Sequence, residues 1–176
     1  MLLRLAYYDD PFLRKKTKLI DKIDDSIRTL VENMTETMRK YDGMGLAAPQ
    51  VFVDQAIFIT CVPKQKEDGE WGEGEVRVFI NPKILAFSQE TWSRSEGCLS
   101  LPNFYEEVVR PVKIKIQATD FERESFEEEL VGWDARAFLH ENDHINGVLF
   151  IDRIKGKKRK DIEPILRMIK KKYQGK

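Results

Sequence analysis

Residues 140–144, His-Glu-Asn-Asp-His, constrain this chain more than any other stretch. They contain both of its histidines, four positions apart, with a glutamate directly after the first. On an α-helix, positions i and i+4 share a face one turn apart. Two imidazoles so placed reach one metal ion, and Glu141 lies beside a water bound to that ion. The fold must therefore supply a helix here, and a further ligand from elsewhere. Helix-compatible residues from Trp133 to Leu139 precede the motif, with Asp134 as the expected N-terminal cap and Gly147 as the expected stop.

The further ligand is sought among soft and nitrogen donors, and no third histidine exists. The chain has two cysteines. Cys61 lies in the β-like run 55–62 (QAIFITCV) and reads as a small buried hydrophobe. Cys98 stands beside a glycine in Glu96-Gly97-Cys98-Leu99-Ser100-Leu101-Pro102, read as a turn that can expose its sulfur. Cys98, His140 and His144 would leave one coordination position open for water, the pattern of a catalytic site. Thiolate with imidazole suits zinc or ferrous iron.

The remaining sequence indicates an α+β fold of mainly antiparallel sheets around the metal-binding HExxH helix, with one helix near each end of the chain. Ile23, Ile27, Leu30, Val31, Met34 and Met38 recur at helical spacing, with Asp24, Asp25 or Ser26 as the cap. Residues 43–50 (GMGLAAPQ) read as a helix-to-strand turn whose glycines allow a close backbone approach. Residues 76–81 (VRVFIN) read as a strand stopped by Pro82, with a weaker strand region over 83–93. Residues 112–118 alternate as a half-buried strand should, and 121–131 read as its partner. Residues 64–75 are polar, with three glycines, and read as an exposed loop or hairpin tip.

Charge separates the far end from the body. Residues 155–176 carry ten Lys/Arg and two acidic residues, a balance of +8, so the other 154 residues carry −8. We expect a catalytic domain over 1–154, then a basic linker at 155–160 and a helix from 161 to 173. That segment is either part of the same domain or an appendage. No apolar run approaches the ~20 residues that span a bilayer. There is no signal-peptide apolar region and no disulfide framework, so a cytoplasmic location is expected, without membrane or DNA partners.

The residues alone leave three functions open. A zinc peptidase of the HExxH type needs one more ligand, but Phe150 fills the slot of a third histidine and Glu163 sits in the basic tail. A non-catalytic binding module would have no need of Glu141. The third is hydrolysis of a small amide with Cys98, His140 and His144 as ligands.

The three stretches 43–50, 96–100 and 140–144 together resemble, in order and separation, the signature motifs of the peptide deformylase family. The likeness runs from the turn at Asp10-Pro11 to about Arg153. It implies removal of the N-formyl group from the formylmethionine of newly made polypeptides, with release of formate. It implies Cys98, His140 and His144 as metal ligands, and Glu141 as general acid/base acting on a metal-bound water. Gln50 and the Leu99 N–H would hold the oxyanion. The substrate would lie as an added strand near Gly45 and Gly97. Its methionine would enter a pocket formed by Met44, Trp133, the stem of Arg136, Ala137 and His140. The family's usual ion is Fe²⁺, with Zn²⁺, Ni²⁺ or Co²⁺ as substitutes. Arg110 matches an arginine that pairs with Asp143. Leu139, Ile145 and Tyr105 depart from residues common in the family. The basic end suggests ribosomal docking through RNA phosphates, against a plain solvated helix.

Overall fold

The alternation over residues 112–118 sorts Ile114, Ile116 and Ala118 to one side, and in the structure that side is buried. A computed structural model describes all residues, 1–176. Helix α1 spans Asp25–Lys40 and is followed by nine strands. These are β1 (Gly45–Ala47), β2 (Ile57–Thr60), β3 (Lys64–Gln65), β4 (Trp71–Gly72), β5 (Arg77–Phe87), β6 (Thr91–Cys98), β7 (Leu101–Pro111), β8 (Lys113–Thr119) and β9 (Phe126–Val131). Helices α2 (Gly132–Ile145) and α3 (Gly156–Tyr173) close the chain. The fold is mixed α and β, with antiparallel sheets and three helices.

Strands β1, β2, β5, β8 and β9, in that order, form one antiparallel sheet. Its centre is dry on both faces. Every residue of β2, Ile-Phe-Ile-Thr, is buried, which is why this strand reads as a continuous apolar run rather than an alternation. Ile57 and Ile59 pack with Ile27, Val31, Met34 and Met38 of α1. Phe58 faces the other way, with its ring 5.1 Å from that of Phe138 on α2. The sheet is thus held between α1 and α2. Strands β3 and β4 form a small exposed hairpin within 64–75, as expected.

Strands β6 and β7 pair only with each other, as a long hairpin outside the main sheet. A third core joins it to the end of the chain. Leu101, Phe104 and Val108 of β7 pack with Phe150, Ile162, Leu166 and Ile169.

Several boundaries differ from expectation, each for a physical reason. Pro82 does not end its strand: β5 continues to Phe87 through a register shift between Ile80 and Lys83. Asn81 takes φ 50° there, and its side chain accepts from Ile20 N and donates to Ile20 O, both at 2.8 Å. A bulge removes the need for the hydrogen bond that proline cannot donate. The strand expected from 121 begins at Phe126, because Asp120 accepts from the Glu122 and Arg123 amides and closes a turn. Cys98 itself ends β6, and the expected turn is confined to Leu99 and Ser100, with β7 starting at Leu101. The linker expected at 155–160 is the first part of α3, held by Lys158 to Glu106 (2.6 Å) and Arg159 to Glu163 (2.7 Å). Helix α1 keeps one of its expected caps: of Asp24, Asp25 and Ser26, it is Asp24 that accepts from Ser26 N, at 3.0 Å. Helix α2 does not: it starts at Gly132 directly after β9, and Asp134 lies inside its first turn.

Candidate metal centre

Two elements bring the expected ligands together. Helix α2 carries His140, Glu141 and His144 on its buried side, and the hairpin contributes Cys98, the last residue of β6. Pairing in the hairpin slips between Gly97–Tyr105 and Cys98–Leu101. Asn103, in the slipped segment, takes φ 59°. A slip of this kind re-aims a side chain, and here the Cys98 sulfur meets α2. Its Sγ lies 3.2 Å from His144 Nε2. One ligand atom from each of Cys98, His140 and His144 lies within 4.8 Å of the others. One sulfur and two imidazole nitrogens suit a divalent transition metal with an open position. The fit extends to a buried polar atom beside the cluster without a hydrogen-bond partner, Glu141 Oε2.

The surroundings set protonation. Burial pushes the Glu141 carboxyl up to about 7, against the opposing charge of His140. Burial, with the charges of His140 and Arg110, holds His144 well below the usual histidine range, so it is neutral and able to ligate. His140 Nδ1 lies 2.9 Å from Glu96 Oε2. An ionised carboxylate only accepts, so Nδ1 bears a proton. Against burial, hydrogen bonds with Cys98 and Glu96 hold the metal-free His140 well above the usual histidine range, so a bound ion would take the place of the Nε2 proton.

Glu96 is the residue that the sequence reading passed over. It is buried, and burial alone would raise its carboxyl. Hydrogen bonds from Arg110 and His140 outweigh this and hold it well below the usual carboxylate range. Arg110 donates to both Glu96 oxygens, at 2.6 and 2.9 Å, and to Asp143 Oδ2 at 2.8 Å. The expected Arg110–Asp143 pair is thus present, with Glu96 as its second partner. Arg153, from the turn Phe150–Arg153, also holds Asp143, at 2.7 Å. Position gave the one available signal for Glu96, since it stands two residues before the cysteine. Nothing local marks Arg153.

A cavity of about 460 Å³ opens onto this centre. Gln50 is buried at its edge, with Oε1 accepting from Ala47 N at 2.9 Å. That bond turns Nε2 toward the centre, 3.2 Å from Ser100 Oγ and 3.5 Å from Cys98 Sγ. Leu99 lines the cavity beside Cys98. A Cβ at Gly45 would collide with the Glu141 carboxylate, so any larger residue there would displace that side chain. Gly97 is covered by the Tyr105 ring, which an added Cβ would strike. Met44, Trp133, Ala137 and Arg136 also line the cavity. Met44 and Trp133 are exposed at it, whereas Arg136 is buried. The guanidinium of Arg136 turns away into the hairpin and donates to Glu96 Oε1 at 2.7 Å. Every residue picked out as a site candidate therefore borders this cavity, except His144, which sits behind it.

Such an arrangement can hold a divalent ion, place a base next to a water and direct donors at a developing negative charge. The polypeptide deformylase family model matches residues 2–160. A peptide deformylase of Thermotoga neapolitana is 44% identical over 172 residues, covering 98% of this chain and 99% of the relative. Peptide deformylase 1B of Arabidopsis thaliana, chloroplastic/mitochondrial, is 42% identical over 174 residues, covering 99% of this chain and 62% of the relative. Among solved structures, a plant peptide deformylase superposes with a TM-score of 0.88 at 42% identity, covering 98% of this chain and 91% of that one. A peptide deformylase from Ehrlichia chaffeensis gives 0.86 at 35% identity, covering 98% of each.

Proposed function

The chain belongs to the peptide deformylase family, and from that premise we propose how its own residues carry the reaction. It is a hydrolase that removes the N-formyl group from newly made polypeptides. We assign Cys98, His140 and His144 as ligands of one divalent ion. Fe²⁺ is the native ion in this reading, with Zn²⁺, Ni²⁺ and Co²⁺ as substitutes. Bound there, the ion supplies Lewis-acid chemistry, which acidifies the attacking water and polarises the formyl carbonyl.

Glu141 takes the water proton on its unpartnered Oε2 as the water oxygen attacks the formyl carbon. It then delivers that proton to the amide nitrogen as the C–N bond breaks, so formate and a free α-amine leave. Gln50 Nε2 and the Leu99 N–H donate to the oxyanion that the attack creates. Strand β1 is at the edge of the main sheet. The peptide adds alongside it, passing Gly45 on one side and Gly97 on the other. The methionine side chain enters between Met44, Trp133, Ala137, His140 and the stem of Arg136.

One observation carries this reading. Three donor atoms of the right types converge at a cavity that also holds a buried carboxylate with one free oxygen. The test is formate release from formyl-Met-Ala, measured beside cleavage of an unformylated peptide. Formate without proteolysis is expected. Proteolysis without formate would select the peptidase and overturn the assignment. Metal analysis of protein isolated without air should find iron, and zinc alone would overturn that choice.

No helix is long and apolar enough to cross a membrane. We propose that the enzyme works in the cytoplasm, where new chains emerge. Residues 1–154 and α3 then act as one catalytic unit, supported by the apolar core that α3 shares with β7. We also propose that the exposed lysines of α3, Lys157, Lys160, Lys171 and Lys172, engage ribosomal RNA phosphates.

A further inference from the structure

We propose that Arg136 is a positioning residue of the metal centre, acting through Glu96. This rests on the ligand set assigned above. The stem of Arg136 borders the cavity, but its guanidinium leaves that cavity and ties together the two elements that carry the ligands. It rises from α2, one turn before His140. Its Nη1 donates to Glu96 Oε1 at 2.7 Å and to the Val108 carbonyl of β7 at 3.0 Å. Its Nη2 donates to the Trp92 carbonyl of β6 at 2.9 Å. One side chain of the histidine helix thus grips both strands of the cysteine hairpin. Its planar head lies 5.1 Å from the ring centre of Trp92 and 5.9 Å from that of Trp133. Aromatic faces hold a guanidinium in this way.

The consequence falls on Glu96. Its Oε1 accepts from Arg136 and Arg110, which leaves Oε2 facing Arg110 Nη2 and His140 Nδ1. Arg110 already grips both oxygens, and Arg136 adds a donor from the helix that carries His140, so the carboxylate is held to α2 as well as to the hairpin and keeps Oε2 on His140 Nδ1. Burial is nearly complete for both, with side-chain exposure of 2% for Arg136 and 5% for Glu96, so water does not replace either bond. Arg136 therefore sets the aim of His140 Nε2 through Glu96, and its bonds to the hairpin carbonyls hold its own head in place for that task.

The test uses Co²⁺ alone, titrated against a chromophoric chelator into full-length parent, Arg136→Lys, Arg136→Met, Glu96→Gln and the double variant Glu96→Gln/Arg136→Met. Partners one step out from a metal ligand typically change affinity by about 10–100-fold. Arg136→Met should weaken Co²⁺ binding within that range, with Arg136→Lys between it and the parent. The Co²⁺ absorption band should shift in both. If Arg136 acts through Glu96, the double variant binds no more weakly than Glu96→Gln alone. Unchanged affinity in both Arg136 variants would overturn the proposal. So would a double variant whose loss is the product of the two single losses, or an effect confined to KM for formyl-Met-Ala. Should Arg136→Met fail to fold, Arg136→Lys with its own Glu96→Gln double variant gives the same cycle. A parent that binds no Co²⁺ would instead strike at the ligand set, so the two failures are distinct.

Discussion

Glu141 is held in a state that opposes stability. Its carboxyl is buried and pushed up to about 7 from an ordinary 4.5. A raised carboxyl favours the folded chain below the ordinary value, and that contribution is lost as pH rises through the folded one. At pH 8 the metal-free chain therefore holds an ion that burial disfavours, at a cost of about 3 kcal/mol. Glu141→Gln should then be more stable than the parent at pH 8 and equal to it at pH 4, in thermal unfolding with chelator present. The same variant should retain its metal and lose about 10²–10⁴-fold in formate release. Full activity would remove Glu141 as acid/base. Its place beside the ligand cluster was legible from sequence because that placement is local, one position from a histidine on a helix. Arg136 was only half legible: its stem could be assigned to the cavity, but its head bonds residues 40 and 28 positions away in sequence.

Among the elements, β5 was the least legible and is the most informative. A proline inside a strand ordinarily ends it, and no local signal shows that Asn81 absorbs the irregularity. The reason is tertiary, since Asn81 exchanges two hydrogen bonds with Ile20. Asn81→Ala should lose both and leave a non-glycine residue at positive φ without side-chain support. A loss of about 2–4 kcal/mol is expected in denaturant unfolding, with unchanged formate release per folded molecule. By contrast, β8 and α1 were readable because each buries one face, and period 2 or 3.6 then appears in the residues. The start of α3 was hidden because a run of lysines reads as linker, whereas Glu106 on β7 and Glu163 within the helix pair with its cations.

At the scale of the whole molecule, the proposed metal joins the hairpin to the helix layer and binds only the folded chain. Stripping it with a chelator should lower Tm, with about 4 kcal/mol lost when free ion had been ~1,000 times Kd. An unchanged Tm would mean that the three donors do not share an ion. The basic end belongs to the body through Ile162, Leu166 and Ile169, all buried, so removing it would damage the core as well as its charge. Reversing Lys157, Lys160, Lys171 and Lys172 to glutamate isolates the electrostatic part. Ribosome co-sedimentation at low salt should fall while formate release stays intact, and undiminished sedimentation would discard the docking idea. The direct passage from β9 into α2 at Gly132, φ 63°, has a further consequence. With no slack between strand and helix, the sheet dictates the helix's rotational phase. One residue inserted before Ala135 would swing every following side chain by about 100° and point both imidazoles at the wrong neighbours. The exposed hairpin within 64–75 can absorb added residues, but this junction tolerates no change in residue count.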